Sequence, residues 1–126
     1  MSKAAIILFG HGARDPQWAQ PMERVRDAVR AAAPGVEVEV AFLEFMQPGL
    51  VAAIDCMARG GATQVTVVPM FLAQGGHVKK DLPVLLDEAR VLHPECQVAL
   101  LAAVGEADPV VAAMAAYALQ GAGLQA

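Results

Sequence analysis

The residues most able to do chemistry sit in three short stretches. His11 lies between two glycines in Gly10-His11-Gly12-Ala13-Arg14-Asp15-Pro16, and His77 follows a glycine pair in Met70-Phe71-Leu72-Ala73-Gln74-Gly75-Gly76-His77. Glu44 stands among apolar neighbours in Phe42-Leu43-Glu44-Phe45-Met46-Gln47-Pro48. Neutral imidazole ligates transition-metal ions and, with an ordinary pKa of about 6.5, also accepts a proton near neutral pH. Two imidazoles and a carboxylate arriving from separate segments therefore suit a divalent ion that is held briefly, with coordination positions left open for a second ligand. The glycines flanking His11 carry no Cβ, which lets the chain turn tightly and is expected to let a large planar ligand come close. Glu44 must be paired or protonated if it is buried. The third histidine, His93, precedes Pro94 in the last turn of a predicted helix, where the helix dipole favours a cation, and is read as structural.

Other catalytic designs lack their residues. Ser2 is the only serine, so no serine nucleophile stands on a strand-to-helix elbow. Neither Cys56 nor Cys96 falls in a strand-exit loop, and both are expected to be free, packed thiols of a reducing compartment. There is no G-x-x-x-x-G-K-[ST] phosphate loop, and Gly10-His11-Gly12 lacks the third glycine of a dinucleotide fingerprint. A phosphatase with a nucleophilic histidine would need an arginine where Gly10 stands and further arginines for the phosphate. Nine Lys and Arg against thirteen Asp and Glu give a net charge of -4, and the cations are scattered, which argues against a nucleic-acid partner. The longest apolar stretch, Val110 to Leu119, is well short of the ~18 residues of a membrane span, and the run Ala4 to Phe9 is too brief for a signal peptide. No membrane anchor and a cytoplasmic home are expected.

The elements that must position these residues follow from the apolar pattern. Short continuous runs at Ala4 to Phe9, Val36 to Leu43, Gln64 to Pro69 and Gln97 to Leu101 predict strands buried on both faces. Between them, Trp18, Met22, Val25, Val29 and Ala32 recur at helical spacing until Pro34-Gly35. A second helix is expected from near Pro48 through Leu50, Val51, Ile54 and Met57 to Gly60-Gly61, and a third carries Leu82, Leu85, Leu86, Ala89 and Leu92. The last opens at Asp108-Pro109 and presents Val110, Val111, Met114 and Ala118 until Gly121, and Gly121 to Ala126 are expected to form a loose tail. At 126 residues the chain is expected to be one domain, with no internal repeat or linker. Alternating β and α units predict an α/β fold: a doubly wound four-stranded parallel sheet of order 2-1-3-4 with helices on both faces. Ligands of such sheets bind beyond the carboxyl ends of the strands where the order reverses, here between the first and third strands, so the loops after Phe9 and Pro69 should form the site.

In these positions the chain resembles the sirohydrochlorin chelatases of the short, single-domain CbiX type, which carry H-G-S-R-D-P after the first strand and G-G-H-x-x-x-D-[IL]-P after the third. The corresponding residues are His11-Gly12-Ala13-Arg14-Asp15-Pro16 and Gly75-Gly76-His77-Val78-Lys79-Lys80-Asp81-Leu82-Pro83, and Ala41 to Pro48 is similar to the family's second-strand exit. The likeness runs from about Ala4 to Leu92; Ala13 departs from it where a serine is usual. It implies a lyase-class enzyme that inserts cobalt(II) or iron(II) into sirohydrochlorin, toward cobalamin or sirohaem, with no organic cofactor. Nickel would be accepted by the same ligands.

On that basis His11 and His77 share metal binding and proton acceptance, with Glu44 as a further metal ligand. Gly10, Gly12, Gly75 and Gly76 give room for the tetrapyrrole, while Arg14, Lys79 and Lys80 meet its rim carboxylates. The same two histidines would also serve a carrier that holds metal or tetrapyrrole without turnover. One such domain leaves a flat macrocycle open on one face, so a homodimer is expected, with Phe45, Met46, Met70, Phe71 and Leu72 near the contact.

Overall fold

A computed structural model of the chain describes residues 3–124, the side chain of His77 excepted. The strands are β1 (Ala4–Gly10), β2 (Glu37–Phe42), β3 (Gln64–Pro69) and β4 (Gln97–Leu100), and the helices α1 (Gln20–Ala32), α2 (Leu50–Arg59), α3 (Gly76–Leu92) and α4 (Asp108–Gly121). Short 3-10 turns at Pro16–Ala19 and Val104–Glu106 precede α1 and α4. The sheet is parallel throughout and ordered β2-β1-β3-β4, as the alternating pattern predicts. No helix among the described residues is long and apolar enough to cross a membrane.

Each face of the sheet has its own core. On one, α2 and α3 close over Ile7, Phe9, Val65, Val67 and Val98 through Ile54, Met57, Leu82 and Leu86. On the other, α1 lays Met22 against Leu8, Val38, Val40 and Phe42. Full burial of one such side chain contributes about 1.5–3 kcal/mol, and β1, the central strand most buried on both faces, is the one that is apolar from end to end. The two strands entered from a helix and a proline turn begin alike. Arg30 of α1 donates to the Val38 carbonyl at 2.8 and 3.1 Å, and Arg90 of α3 donates to the Val98 carbonyl at 2.7 Å. Each arginine satisfies a carbonyl of an outer strand, where no neighbouring strand can.

Several boundaries differ from expectation for local reasons. Pro48 lies outside α2, whose N-cap is Gly49, and its carbonyl instead accepts from Phe42 N–H at 2.9 Å to close the β2-exit loop. Trp18 belongs to the 3-10 turn rather than to α1, because Asp15 caps that turn by accepting from Gln17 N–H. The fourth helix already includes Asp108, its expected cap, and the N-cap is Ala107, one residue earlier. None of its residues is buried, and the element it packs against to any extent is the turn Val104–Glu106. Both cysteines are free, but only Cys96 is packed; Cys56 is exposed. Of the expected tail, Gly121 still ends α4, and residues 125 and 126 lie outside the described part.

His93, read from the sequence as a structural residue favoured by the helix dipole, also lies between two carboxylates. It caps α3, is only 13% exposed, and meets Asp55 of α2 through Nε2 at 2.8 Å and Glu95 through Nδ1 at 3.5 Å. Hydrogen bonds from Arg59 first and His93 second hold the Asp55 carboxyl below its ordinary pKa of 3.8. A carboxyl depressed in the folded state stabilises above its ordinary value, and that stabilisation fades as pH falls through the lowered one. Asp55→Asn is therefore expected to lower the melting temperature at neutral pH, with the gap to the parent chain closing below pH 3.8; a gap that stays constant in acid would remove this clamp between α2 and α3.

Candidate active site

The carboxyl ends of β1 and β2 are tied together beyond the last sheet residues. Leu43 N–H donates to the Gly10 carbonyl at 3.0 Å and Glu44 N–H to the His11 carbonyl at 3.1 Å, extending the ladder into both exit loops. Gly12 makes this approach possible. Its φ of +94° is strained for any residue with a side chain, and a Cβ there would stand 1.8 Å from the Glu44 carbonyl oxygen. At Gly10 a Cβ would meet Met22 Sδ at 2.4 Å. The two glycines thus admit neighbouring parts of the chain, whereas the sequence suggested that they admit a ligand.

The tie sets two candidate side chains face to face. His11 Nε2 lies 3.4 Å from Glu44 Oε1, with both side chains a little over two-fifths exposed. An ion pair this exposed contributes only about 0.2–1 kcal/mol, too little for the arrangement to be explained by stability. The spacing suits a shared ion: two ligand atoms each about 2.1 Å from a tetrahedral divalent metal lie about 3.4 Å apart. The imidazole edge is steadied by Phe71 of the β3-exit loop, 6.3 Å between centroids at 81°, and Phe71 in turn meets Phe9 edge-on at 6.0 Å. The switch point between β1 and β3 therefore supplies an aromatic support to His11, and its carboxylate comes from β2.

Phe71 acts as the support of His11, a role the sequence did not disclose; an aromatic directly after a buried strand that neighbours a histidine loop is the available signal. Gly105 was missed too. Its N–H donates to the Phe71 carbonyl at 3.0 Å, and a Cβ there would lie 1.9 Å from the Leu72 carbonyl oxygen, so the turn before α4 presses on the β3-exit loop. Of the apolar residues expected at the mouth, Phe45 and Leu72 are exposed, at 57% and 69%. Met46 and Met70 pack against the α1-side core and Phe71 against the other.

Arg14 is exposed and lies 4.7 Å over the Phe45 ring, a cation–π contact that holds its guanidinium beside the mouth. Next to it a concavity of about 720 Å³ runs between Ala13, Arg14, Gln17, Phe45 and Met46. Gly75 is the N-cap of α3, and Gly76 and His77 form its first turn, not the end of a loop. A Cβ at Gly75 or Gly76 would meet nothing within 4 Å, so the free space foreseen at all four glycines exists at these two. Lys79 and Lys80 are exposed in that same first stretch of α3. The side chain of His77 lies outside the described residues, and among the described ones no cluster of three metal-ligating side chains forms.

The fold and these loops have known counterparts. The CbiX family model matches residues 5–120, and the chain belongs to that family. Over 82 residues it is 38% identical to the sirohydrochlorin cobaltochelatase of Methanopyrus kandleri, an alignment that covers 65% of this chain and 57% of that protein. The chain thus spans little more than half the length of that relative. A CbiX protein from Marinobacter aquaeolei VT8 superposes with a TM-score of 0.81 at 25% identity, covering 94% of this chain and 96% of that one. The cobalt complex of the sirohydrochlorin chelatase SirB from Bacillus subtilis subspecies spizizenii gives a TM-score of 0.78 at 27% identity, covering 94% of this chain but 50% of that one.

If Gly12 is what brings the two exit loops together, Gly12→Ala should be costly and Gly35→Ala, where a Cβ meets nothing within 4 Å, should not. Left-handed strain and the backbone clash together amount to about 2–3 kcal/mol, which for a domain of this size lowers the melting temperature by roughly 10 °C. Calorimetry that finds the two alanine variants equally stable would show that Gly12 does not hold the loops.

Proposed function

We propose that the chain is a metal chelatase that inserts a divalent ion, cobalt(II) in the first place and iron(II) as the alternative, into sirohydrochlorin. The observation that carries this proposal is the half-exposed His11–Glu44 pair, spaced for one metal ion at the open end of the sheet. Membership of the CbiX family and likeness to named sirohydrochlorin cobaltochelatases support the choice of substrate.

Insertion requires the ion to lose water, two pyrrole N–H protons to leave, and the ring to be held still. Glu44 supplies a hard anionic ligand and His11 a softer neutral one, a set that takes up a hydrated ion without closing its coordination sphere. An imidazole freed from the metal as the ring nitrogens replace it becomes a proton acceptor, so ligand loss and proton uptake run together. His77, on the first turn of α3, is proposed as the second imidazole. Phe45 and Leu72 offer apolar surface to the macrocycle, and Arg14, Lys79 and Lys80 offer cations to its acetate and propionate groups.

Cobalamin biosynthesis fits cobalt and sirohaem biosynthesis fits iron. Free cysteines, one of them exposed, accord with the reducing cytoplasm. Residues 1–126 act as a single domain in this proposal, and two copies pair as a homodimer about the open mouth, so that the far face of the macrocycle is shielded from water.

The test is to incubate the purified chain with sirohydrochlorin and cobalt, iron or nickel in turn and follow the ring's absorption. Turnover beyond one ring per site supports a chelatase, whereas a change that stops at one equivalent supports a carrier. His11→Ala and His77→Ala are each expected to reduce insertion to the spontaneous rate, Glu44→Gln to slow it about 10- to 100-fold, and His93→Ala to leave it unchanged per folded molecule. Equal rates in all four variants would remove the site. Lys79→Ala/Lys80→Ala should raise KM more than it lowers kcat, and the difference should shrink with added salt. An unaltered KM at low ionic strength would exclude rim binding by these lysines.

A further inference from the structure

The α1 side of the sheet is only half covered. Helix α1 lies over β1 and β2, while on the same face of β3 and β4 Thr66 and Val68 are half-exposed and Ala99 and Leu101 are exposed, Leu101 at 48%. The flank of α1 that looks toward β3 is bare as well: Val25 on α1 is 39% exposed, and Trp18 in the 3-10 turn just before it is 41% exposed. Together with Pro21, Met22 and Met70 they line a groove of about 420 Å³. On the opposite face the matching place beside α2 is filled by α3. The groove beside α1 is a seat for one more helix.

A helix without a seat is present in the same chain. From Pro109 to Leu124 there is no charged side chain, yet no residue of α4 is buried, and Val111, Met114 and Tyr117 are 46%, 40% and 78% exposed. A helix apolar all round is stable only when it is covered, and 14 residues make a marginal helix in water on their own. Its starting point is fixed, because Gly105 just before it is hydrogen-bonded to the Phe71 carbonyl. Helix α4 therefore leaves the domain from the mouth, the side on which a second copy is placed above.

We propose that α4 of each chain lies in the groove over β3 and β4 of a second copy, the two chains exchanging their last helices about a two-fold axis. This rests on the homodimer of the proposed function and adds what holds it together. A 14-residue helix is about 21 Å long and about 10 Å across, and its seat buries on the order of 400 Å² on each surface. Two reciprocal seats bring the total to about 1,600 Å², the size of a stable specific interface. A membrane surface is the poorer partner, since α4 carries no cation to meet anionic lipid and the chain as a whole is acidic. SirB agrees in scale, half of it matching this chain, so that two copies reproduce its length.

The exchange is tested with full-length chains in a Cys56→Ala background. Ala99→Cys chains and Met114→Cys chains are co-expressed, purified, sized by light scattering and treated with a short bismaleimide; Leu101→Cys replaces Ala99→Cys if circular dichroism shows that the latter is unfolded. The expected result is a dimer by scattering, a covalent pair joining residue 99 of one chain to residue 114 of the other, and no covalent pair when either variant is made alone. A dimer that gives no such link overturns the exchange and leaves the dimer standing. A chain carrying both cysteines that links only to itself, at monomer mass, shows α4 folded back on its own sheet and also overturns it. A monomer by scattering overturns the dimer and the exchange together, as does a chain that floats with anionic lipid vesicles instead of pairing.

Discussion

Two hydrogen bonds beyond the sheet, from Leu43 and Glu44 to the carbonyls of Gly10 and His11, are the constraint on which the rest of this structure depends. They continue the β1–β2 ladder past the point where both strands would otherwise diverge into loops. Only a residue without a Cβ and with access to positive φ can stand at position 12 while they form. From that follow the closeness of an imidazole and a carboxylate carried by different strands, and the position of Phe71 behind the imidazole on the third. The parallel core beneath, built from fully buried Ile7, Phe9, Val65 and Val67, keeps the strand ends in register so that the tie has somewhere to form.

The same construction leaves two surfaces open. At the strand ends, a pair a little over two-fifths exposed works in a medium close to water, where charge interactions are weak and a hydrated ion keeps its water. Along the α1 side, half of the sheet face and a whole apolar helix are uncovered. Both are relieved by one event if a second copy closes over the mouth and exchanges α4. Catalysis and assembly are then linked through Gly105, which joins the start of α4 to the loop that carries Phe71.

How much of this could be read from the sequence depended on how local the signal was. The four strands were legible because they are short and rich in apolar residues, Ala4 to Phe9 being apolar at every position, and the sheet order followed from their alternation with helices. Trp18 and Val25 were legible as members of an apolar stripe, but not as exposed ones, since periodicity reports a preference for burial and not the partner that provides it. His11 and Glu44 were singled out separately. Their pairing was hidden because it is made by backbone bonds between loops 33 residues apart, and the roles of Gly12 and Gly105 were hidden because a close approach leaves no trace in composition. Pro48 looked like a helix opener and proved to be a loop closer, the N-cap having moved to Gly49.

What matters most is whether His11 and Glu44 receive the ion. Anomalous diffraction at the cobalt edge, from crystals of the chain equilibrated with cobalt(II), addresses this without relying on turnover. A peak about 2.1 Å from both His11 Nε2 and a Glu44 carboxylate oxygen is the expected result, that being the usual distance from imidazole or carboxylate to such an ion. The competing place is His93, which lies beside the carboxylates of Asp55 and Glu95, and a peak there with none at His11 would contradict the assignment.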